Sequence, residues 1–134
     1  MEFPRVGVAT IVRKNGKVLL GKRKSSNESE EWGFPGGHLE FKESFFECAR
    51  RECFEEARIK ICNLRIAGFT NDIFEEQGKH YVTCFVVADW GGGDAIVAEP
   101  EAMDDWTWIS WNELPKNLFL PVRNLIVQGY NPFE

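Results

Sequence analysis

The spacing of apolar residues along the chain predicts a protein built largely from β-strands. Val6 to Val12 is an apolar run with several β-branched residues, as expected of a strand. The Asn15-Gly16 pair that follows is a strong hairpin signal, so Val18 to Leu20 should return as the partner strand. Further strands are predicted at 64–74, 80–90 and 105–111, the first two joined by a turn at 75–79.

Two segments follow a helical pattern instead. Ser44 and Glu47 have the spacing of a capping box, which predicts a helix that begins at Phe45 and ends near position 57 or 58. The stripe of this helix that should pack on the sheet consists of Phe46, Ala49, Cys53 and Ala57. A second helix is predicted over 121–128 and is ended by Gly129.

Two segments are predicted to lack regular structure. Residues 24–31 are polar and rich in Ser and Glu, which is typical of a mobile surface loop. Residues 32–37 contain Pro35 and two adjacent glycines, which interrupt helices and strands alike. The order of elements indicates an α/β (α+β) fold, a mixed sheet with helices on both faces, in a single domain over residues 1–134.

Composition and charge narrow the function classes. With 134 residues, 43% hydrophobic content and a net charge of −5, the chain suits one compact acidic domain. Its dense basic cluster is limited to Lys22-Arg23-Lys24, so we expect no polynucleotide partner. A small polyanion can still bind where metal ions and a few local cations neutralise it.

The apolar stretches and the cysteines predict the compartment. No stretch is long enough to span a membrane, and the N-terminal residues lack the apolar core of a secretory signal. The four cysteines form no CxxC pair and lack zinc-ligand spacing. We therefore expect a soluble, cytoplasmic protein with no membrane partner, whose thiols are buried and reduced.

Three carboxylates cluster on the first predicted helix. Glu52, Glu55 and Glu56 fall within an arc of about 100°. Arg51 can pair with Glu47 and Glu55 at four-residue spacing, which leaves Glu52 and Glu56 uncompensated. Such a cluster is either a solvated face or a site for divalent cations. If it binds metal, its oxygen-only ligands select a hard ion such as Mg²⁺ or Mn²⁺.

The loop before this helix favours the metal site. Gly36-Gly37 lets the backbone come close to a ligand or a metal. The following residues fit the pattern Gly-x5-Glu-x7-Arg-Glu-U-x-Glu-Glu-x-Gly-U, where U is bulky and apolar. The six matching identities are Gly37, Glu43, Arg51, Glu52, Glu55 and Glu56. This arrangement resembles the Nudix box, and the fixed spacing of its identities makes the signal specific.

The resemblance has two departures and extends beyond the box. Cys53 fills the first apolar position, and Arg58 stands where the box has its last glycine, which would suit a left-handed helix cap. Segments at 20–24, 35–41, 80–83, 106–115 and 128–130 resemble the MutT-type, nucleoside-triphosphate diphosphatase subgroup. Phe74 and Glu76 stand where the ADP-ribose and dinucleoside-polyphosphate subgroups usually carry proline and tyrosine, respectively.

The resemblance implies a Nudix-type α/β/α sandwich with Mg²⁺ (or Mn²⁺) as cofactor. The implied activity is hydrolysis of a nucleoside triphosphate to the monophosphate and pyrophosphate. Arg51 would orient the glutamates, with Glu43 as its partner. The implied metal ligands are the Gly36 carbonyl, Glu52, Glu55 and Glu56, with Glu101 as an additional ligand or base.

The resemblance also implies contacts to a nucleotide substrate. The candidates are Arg23, Gly37, Thr83, Phe119 and Arg123. Arg23 would bind phosphate, because a guanidinium suits bidentate recognition of oxygens. The protein is also a candidate homodimer.

Three other hypotheses stay open. The chain would fit a hydrolase of another nucleoside diphosphate derivative. It would also fit a catalytically silent Nudix-fold module that binds a nucleotide as a sensor. Finally, it would fit a metal-free interaction domain whose acidic helix is only a solvated face. Neither the base nor the sugar of a substrate follows from the sequence.

Overall fold

The computed structural model describes residues 2–24 and 30–134. This part of the chain forms seven strands, two α-helices and a short 3-10 helix at Trp111–Glu113. The strands are β1 (Arg5–Lys14), β2 (Lys17–Arg23), β3 (Glu31–Gly33), β4 (Gly36–His38), β5 (Lys60–Phe74), β6 (Lys79–Gly92) and β7 (Met103–Ser110). The helices are α1 (Phe45–Ala57) and α2 (Leu120–Val127).

All seven strands belong to one mixed sheet. Its main path is β3-β2-β1-β6-β5, with β4 beside β1 and β7 beside β2. β1 and β6 run parallel, with Val8 opposite Cys84, and the other pairs are antiparallel. Because two parallel strands need a crossover between them, the chain from β1 to β6 contains α1.

The two helices cover opposite faces of this sheet. On one face, Ala49 and Cys53 of α1 pack in a core that includes Val8. On the other face, Leu125 of α2 packs in a core that includes Ile11. Val8 and Ile11 differ by an odd number of positions, so they point to opposite faces of β1. The predicted mixed sheet with helices on both sides is confirmed.

Two short sequence motifs predicted the β1–β2 hairpin and the start of α1 correctly. Asn15 and Gly16 both have positive φ, 51° and 76°, as the tight hairpin between β1 and β2 requires. The Ser44 hydroxyl accepts a hydrogen bond from the Glu47 N–H at 3.1 Å. The Glu47 carboxylate accepts one from the Ser44 N–H at 3.0 Å, which completes the capping box. The helix ends at Arg58, whose φ of 56° and ψ of 33° are left-handed.

The prediction that residues 32–37 lack regular structure is wrong. They contain the end of β3 and the start of β4, on either side of Phe34 and Pro35. Gly36 lies so close to β1 that a Cβ there would be 2.4 Å from the Val8 carbonyl oxygen. Glycine therefore permits strand pairing here instead of interrupting it. Of the predicted loop at 24–31, residues 25–29 lie outside the described part of the chain.

Two predictions about burial are also wrong. Phe46 is 39% exposed, whereas Cys48 and Glu52 are buried on the inner side of α1. All four cysteines are free, but Cys62 is exposed. Cys62 lies near the start of the edge strand β5, where pairing with β6 is irregular and the burial pattern is interrupted. Neither helix of the described chain is long and apolar enough to cross a membrane.

α2 also contacts the edge of the sheet. The amide groups of Asn124 and Gln128 donate hydrogen bonds to the carbonyls of Asn71 and Phe69, at 3.3 and 2.9 Å. These carbonyls are two residues apart, so in a strand they point the same way. β5 pairs only with β6 among the described strands, and α2 thus satisfies part of its backbone.

Candidate functional site

Arg51 is the centre of an ion-pair network on α1. Its Nε and Nη2 donate to the two carboxylate oxygens of Glu43 at 2.7 and 3.0 Å. Its Nη1 donates to Glu52 at 2.6 Å and to Glu55 at 3.3 Å. The hydrogen bonds from Arg51 lower the pKa of Glu43 to about 2. The prediction that the charge of Glu52 has no compensating cation is therefore wrong, because the adjacent Arg51 forms an ion pair with it. Arg51 does not reach Glu47, which serves the capping box.

The side chain of Glu52 fits between α1 and β4 because Gly37 has no side chain. Glu52 is only 9% exposed. A Cβ on Gly37 would lie 2.5 Å from the Glu52 carboxyl carbon and 2.6 Å from both carboxylate oxygens. Burial raises the pKa of Glu52, and the hydrogen bond from Arg51 opposes that change. The neighbour of Gly37 is therefore the Glu52 carboxylate, and its predicted approach to a ligand or metal stays a prediction.

Glu56 has the most perturbed carboxylate of the group. Its Oε2 accepts a hydrogen bond from the Gly36 N–H at 3.1 Å. Burial raises the pKa of Glu56 to about 8, and repulsion from Glu52 and Glu99 adds to this rise. In the metal-free protein Glu56 therefore holds a proton over much of the neutral pH range. A divalent cation at this position would replace that proton.

Glu99 joins the cluster, although the sequence had pointed to Glu101. The loop before it is tied to the end of α1, because the Ala98 N–H donates to the Glu56 carbonyl at 3.2 Å. The Trp106 indole N–H donates to the same carbonyl at 3.1 Å. The charge of Glu99 raises the pKa of both Glu52 and Glu56.

Glu101 is exposed, and its side chain makes no hydrogen bond or ion pair with any described residue. The segment Glu99-Pro100-Glu101 carries two acids that the sequence does not distinguish. Only the contacts between this loop and α1 show which one faces the cluster.

The oxygen donors of the cluster fit a hard divalent cation, but the carboxylates are hydrogen-bonded to other protein groups. Within residues 2–24 and 30–134, no three His, Cys, Asp or Glu side chains are arranged to hold a metal ion. Arg51 holds Glu52 and Glu55, and the Gly36 N–H holds Glu56. Carboxylate oxygens are the ligands that Mg²⁺ prefers. Metal binding would therefore require these side chains to exchange their present partners.

Arg23 lies at the end of β2, beside the glutamate cluster. Its guanidinium carbon is 3.9 Å from the centre of the Phe119 ring. Burial lowers the pKa of Arg23, and the charges of Glu56 and Glu31 oppose that change. No described residue accepts a hydrogen bond from the Arg23 side chain or forms an ion pair with it. Its donors are thus available to an anion.

Phe119 is part of an aromatic wall next to Arg23. Its N–H donates to the Trp32 carbonyl at 2.8 Å, which ties it to β3. The Phe74 ring covers Phe119 at 5.6 Å between centroids and a tilt of 37°. Tyr81 in turn meets Phe74 edge-on at 5.9 Å. The wall therefore joins β5 and β6 to the start of α2.

Two of the predicted substrate contacts are placed differently. The Thr83 hydroxyl donates to the buried carboxylate of Asp72 at 2.5 Å. Asp72 also accepts hydrogen bonds from Thr70 and Asn124, at 3.1 and 2.9 Å. Arg123 is exposed on α2, and its side chain contacts no partner among the described residues. Of the other predicted contacts, Gly37 meets Glu52, Arg23 lies beside Glu56, and Phe119 packs on Arg23.

Known proteins with similar sequences and structures share this arrangement of elements. The family model described as NUDIX domain matches residues 1–128. A solved MutT NUDIX hydrolase from Burkholderia pseudomallei superposes with a TM-score of 0.87 at 29% identity, over 96% of this chain and 100% of that one. The NAD-capped RNA hydrolase NudC of Chromobacterium violaceum is 30% identical over 114 residues, 84% of this chain and 41% of the relative.

A third relative is the 8-oxo-dGTP diphosphatase of Buchnera aphidicola. It is 24% identical over 92 residues, which are 69% of this chain and 68% of the relative. The chain spans less than half the length of the NudC relatives that it matches. Similarity to those relatives therefore concerns one part of their chains.

Proposed function

The chain belongs to the Nudix hydrolase family, and from that premise we propose that it hydrolyses nucleoside triphosphates to the monophosphate and pyrophosphate. The observation that supports this most is the position of Arg23 beside Glu56. A guanidinium with free donors next to a cluster of carboxylates suits a substrate that is both polyanionic and metal-bound.

Mg²⁺ (or Mn²⁺) is the proposed cofactor. The proposed ligands are the carboxylates of Glu52, Glu55 and Glu56 and the carbonyl of Gly36. Bound divalent ions would neutralise the phosphates and lower the pKa of a water molecule, which makes it a nucleophile at neutral pH. Their binding would also displace the proton of Glu56 and draw Glu52 from Arg51.

The chain's own residues have separate roles in this proposal. Arg51 is held by both carboxylate oxygens of Glu43. It therefore limits the positions that Glu52 and Glu55 can take. Arg23 donates hydrogen bonds to phosphate oxygens, and Gly37 leaves space for the Glu52 carboxylate. Glu99 adds a negative charge at the edge of the cluster. Glu101, as an additional ligand or base, and Arg123, as a substrate contact, stay predictions, because both are exposed and contact no described part of the site.

The choice of a triphosphate depends on sequence similarity within the family. Phe74 and Glu76 depart from the features usual in the ADP-ribose and dinucleoside-polyphosphate subgroups. One relative is named as a diphosphatase of a modified nucleoside triphosphate, and another as a hydrolase of NAD-capped RNA. A substrate screen must therefore include more than triphosphates.

The test is a hydrolysis screen with Mg²⁺ across ordinary and modified nucleoside triphosphates, ADP-ribose, NADH and dinucleoside polyphosphates. We expect monophosphate and pyrophosphate from triphosphates, and no turnover in excess EDTA. Glu56→Gln should lower kcat by about a thousandfold or more, because it removes one charge from the metal site. Glu113→Gln, the matched control at an exposed position, should keep wild-type turnover.

Three outcomes would count against the proposal. Full turnover in excess chelator would exclude a metal mechanism. Faster cleavage of ADP-ribose or a dinucleoside polyphosphate than of any triphosphate would reassign the substrate class. Nucleotide binding with no product from any substrate would favour the sensor hypothesis.

A further inference from the structure

The Arg23 guanidinium covers one face of the Phe119 ring. It lies 3.9 Å from the ring centre, and the Phe74 ring packs against Phe119 at 5.6 Å between centroids. An aromatic base needs an open face of a ring to stack on it. As the side chains stand, the face under Arg23 is therefore closed to a base.

The Arg23 contact can be opened by movement of one side chain. Phe74 is the last residue of β5, paired with Lys79, and its ring is also packed against Tyr81. Arg23, in contrast, is the last residue of β2, and its long side chain has several rotatable bonds. Among the described residues, none accepts a hydrogen bond from its guanidinium, which lies on the Phe119 ring.

An anion would draw this guanidinium away from the ring. A cation–aromatic contact is weaker than a bidentate, charge-assisted hydrogen bond to phosphate. This difference moves Arg23 toward a bound polyphosphate.

We propose that Arg23 couples the two halves of a nucleotide, because it leaves the Phe119 ring for the phosphates and so uncovers the face on which the base stacks. This inference rests on the proposed nucleotide substrate. Polyphosphate and base then strengthen each other's binding, and linkage requires the effect to be equal in both directions. A base presented without phosphate must displace Arg23 by itself and therefore binds more weakly.

The test separates the two halves of the substrate. Adenosine, and separately guanosine, is titrated with Mg²⁺ in the absence and presence of saturating inorganic pyrophosphate, and binding is followed by NMR with ¹³C-labelled phenylalanine. We expect pyrophosphate to raise nucleoside affinity by about fivefold or more. We also expect it to shift the Phe119 ring signals, which Phe119→Leu identifies.

Three variants distinguish coupling from simple charge attraction. Arg23→Ala should bind nucleoside without pyrophosphate as tightly as the wild type does with it, and pyrophosphate should add nothing. Phe119→Leu should lose the gain in nucleoside affinity. Lys22→Ala is the matched control, because Lys22 is the neighbouring cation but is paired with Glu30 at 2.8 Å. It should keep the coupling.

The results separate this inference from the proposed function. Wild-type nucleoside affinity that is unchanged by pyrophosphate would overturn the coupling, even if triphosphates are hydrolysed. Equal coupling in Arg23→Ala and the wild type would overturn the role of Arg23. Coupling without triphosphate hydrolysis would support the inference and remove only the proposed reaction.

Discussion

Arg58 shows how one residue can end a helix at a conformational cost. It occupies the left-handed region with φ of 56°, where a Cβ is disfavoured. Its side chain recovers part of that cost, because the guanidinium donates to the Phe54 carbonyl at 3.0 Å and lies over the Phe54 ring. The residue thus combines an unfavourable backbone with a favourable side-chain contact.

Two substitutions at this position separate these effects. Arg58→Gly loses the side-chain contacts and the backbone cost, whereas Arg58→Ala loses only the contacts. We expect the glycine variant to be more stable than the alanine variant by about 1 kcal/mol. Urea unfolding monitored by circular dichroism measures the difference. An alanine variant as stable as the glycine variant would contradict a strained cap.

At the scale of elements, the contact between β4 and α1 depends on a missing side chain. A Cβ on Gly37 would lie 2.5 Å from the carboxyl carbon of Glu52. Gly68 in β5 offers a control, because a Cβ there would meet nothing closer than the Leu125 Cδ1 at 3.7 Å. Neither glycine has a positive φ, so steric contact is the main difference between them.

We expect Gly37→Ala to destabilise the protein by about 2 kcal/mol or more and to abolish turnover, because Glu52 must move or β4 must separate from α1. Gly68→Ala should change stability by less than about 1 kcal/mol and keep activity. Thermal unfolding and a turnover assay measure both variants. Similar losses in the two would show that the Glu52 contact is not the cause.

The elements that the sequence predicted correctly are those with local signals. The Asn15-Gly16 hairpin and the Ser44–Glu47 capping box each depend on residues within a few positions of one another. β4 was missed because its glycines suit a contact with Val8, a residue far away in the chain. The sequence could not show that the charge of Glu99 acts on Glu52 and Glu56, because the Ala98–Glu56 hydrogen bond that positions this loop joins two remote segments.

At the scale of the whole molecule, Glu56 links stability to pH. Folding raises its pKa from 4.5 to about 8, mainly through burial. Its contribution to the free energy of unfolding is therefore complete below about pH 4.5 and is lost as the pH rises through 8. Folding lowers the pKa of Glu43 to about 2. Its contribution to the free energy of unfolding is therefore complete at neutral pH and is lost as the pH falls toward 2.

In EDTA, the free energy of unfolding of the wild type should fall by roughly 2–4 kcal/mol between pH 5 and pH 8.5 relative to that of Glu56→Gln. The two proteins should be about equally stable at pH 5, and the variant more stable at pH 8.5. Mg²⁺ should restore the stability of the wild type at high pH, because it replaces the proton that Glu56 has lost. Chemical denaturation at several pH values measures this, and parallel pH profiles for the two proteins would contradict it.

The hydrogen bonds from Asn124 and Gln128 to β5 bear on how this protein behaves at high concentration. An open edge strand is a template on which another chain can add a strand, the first step toward fibrils and domain-swapped aggregates. The side chains of α2 occupy two acceptors of that template, at Asn71 and Phe69. A homodimer formed by extending the sheet at this edge would first have to release α2. Conditions that loosen this helix would therefore favour aggregation well before the sheet itself unfolds.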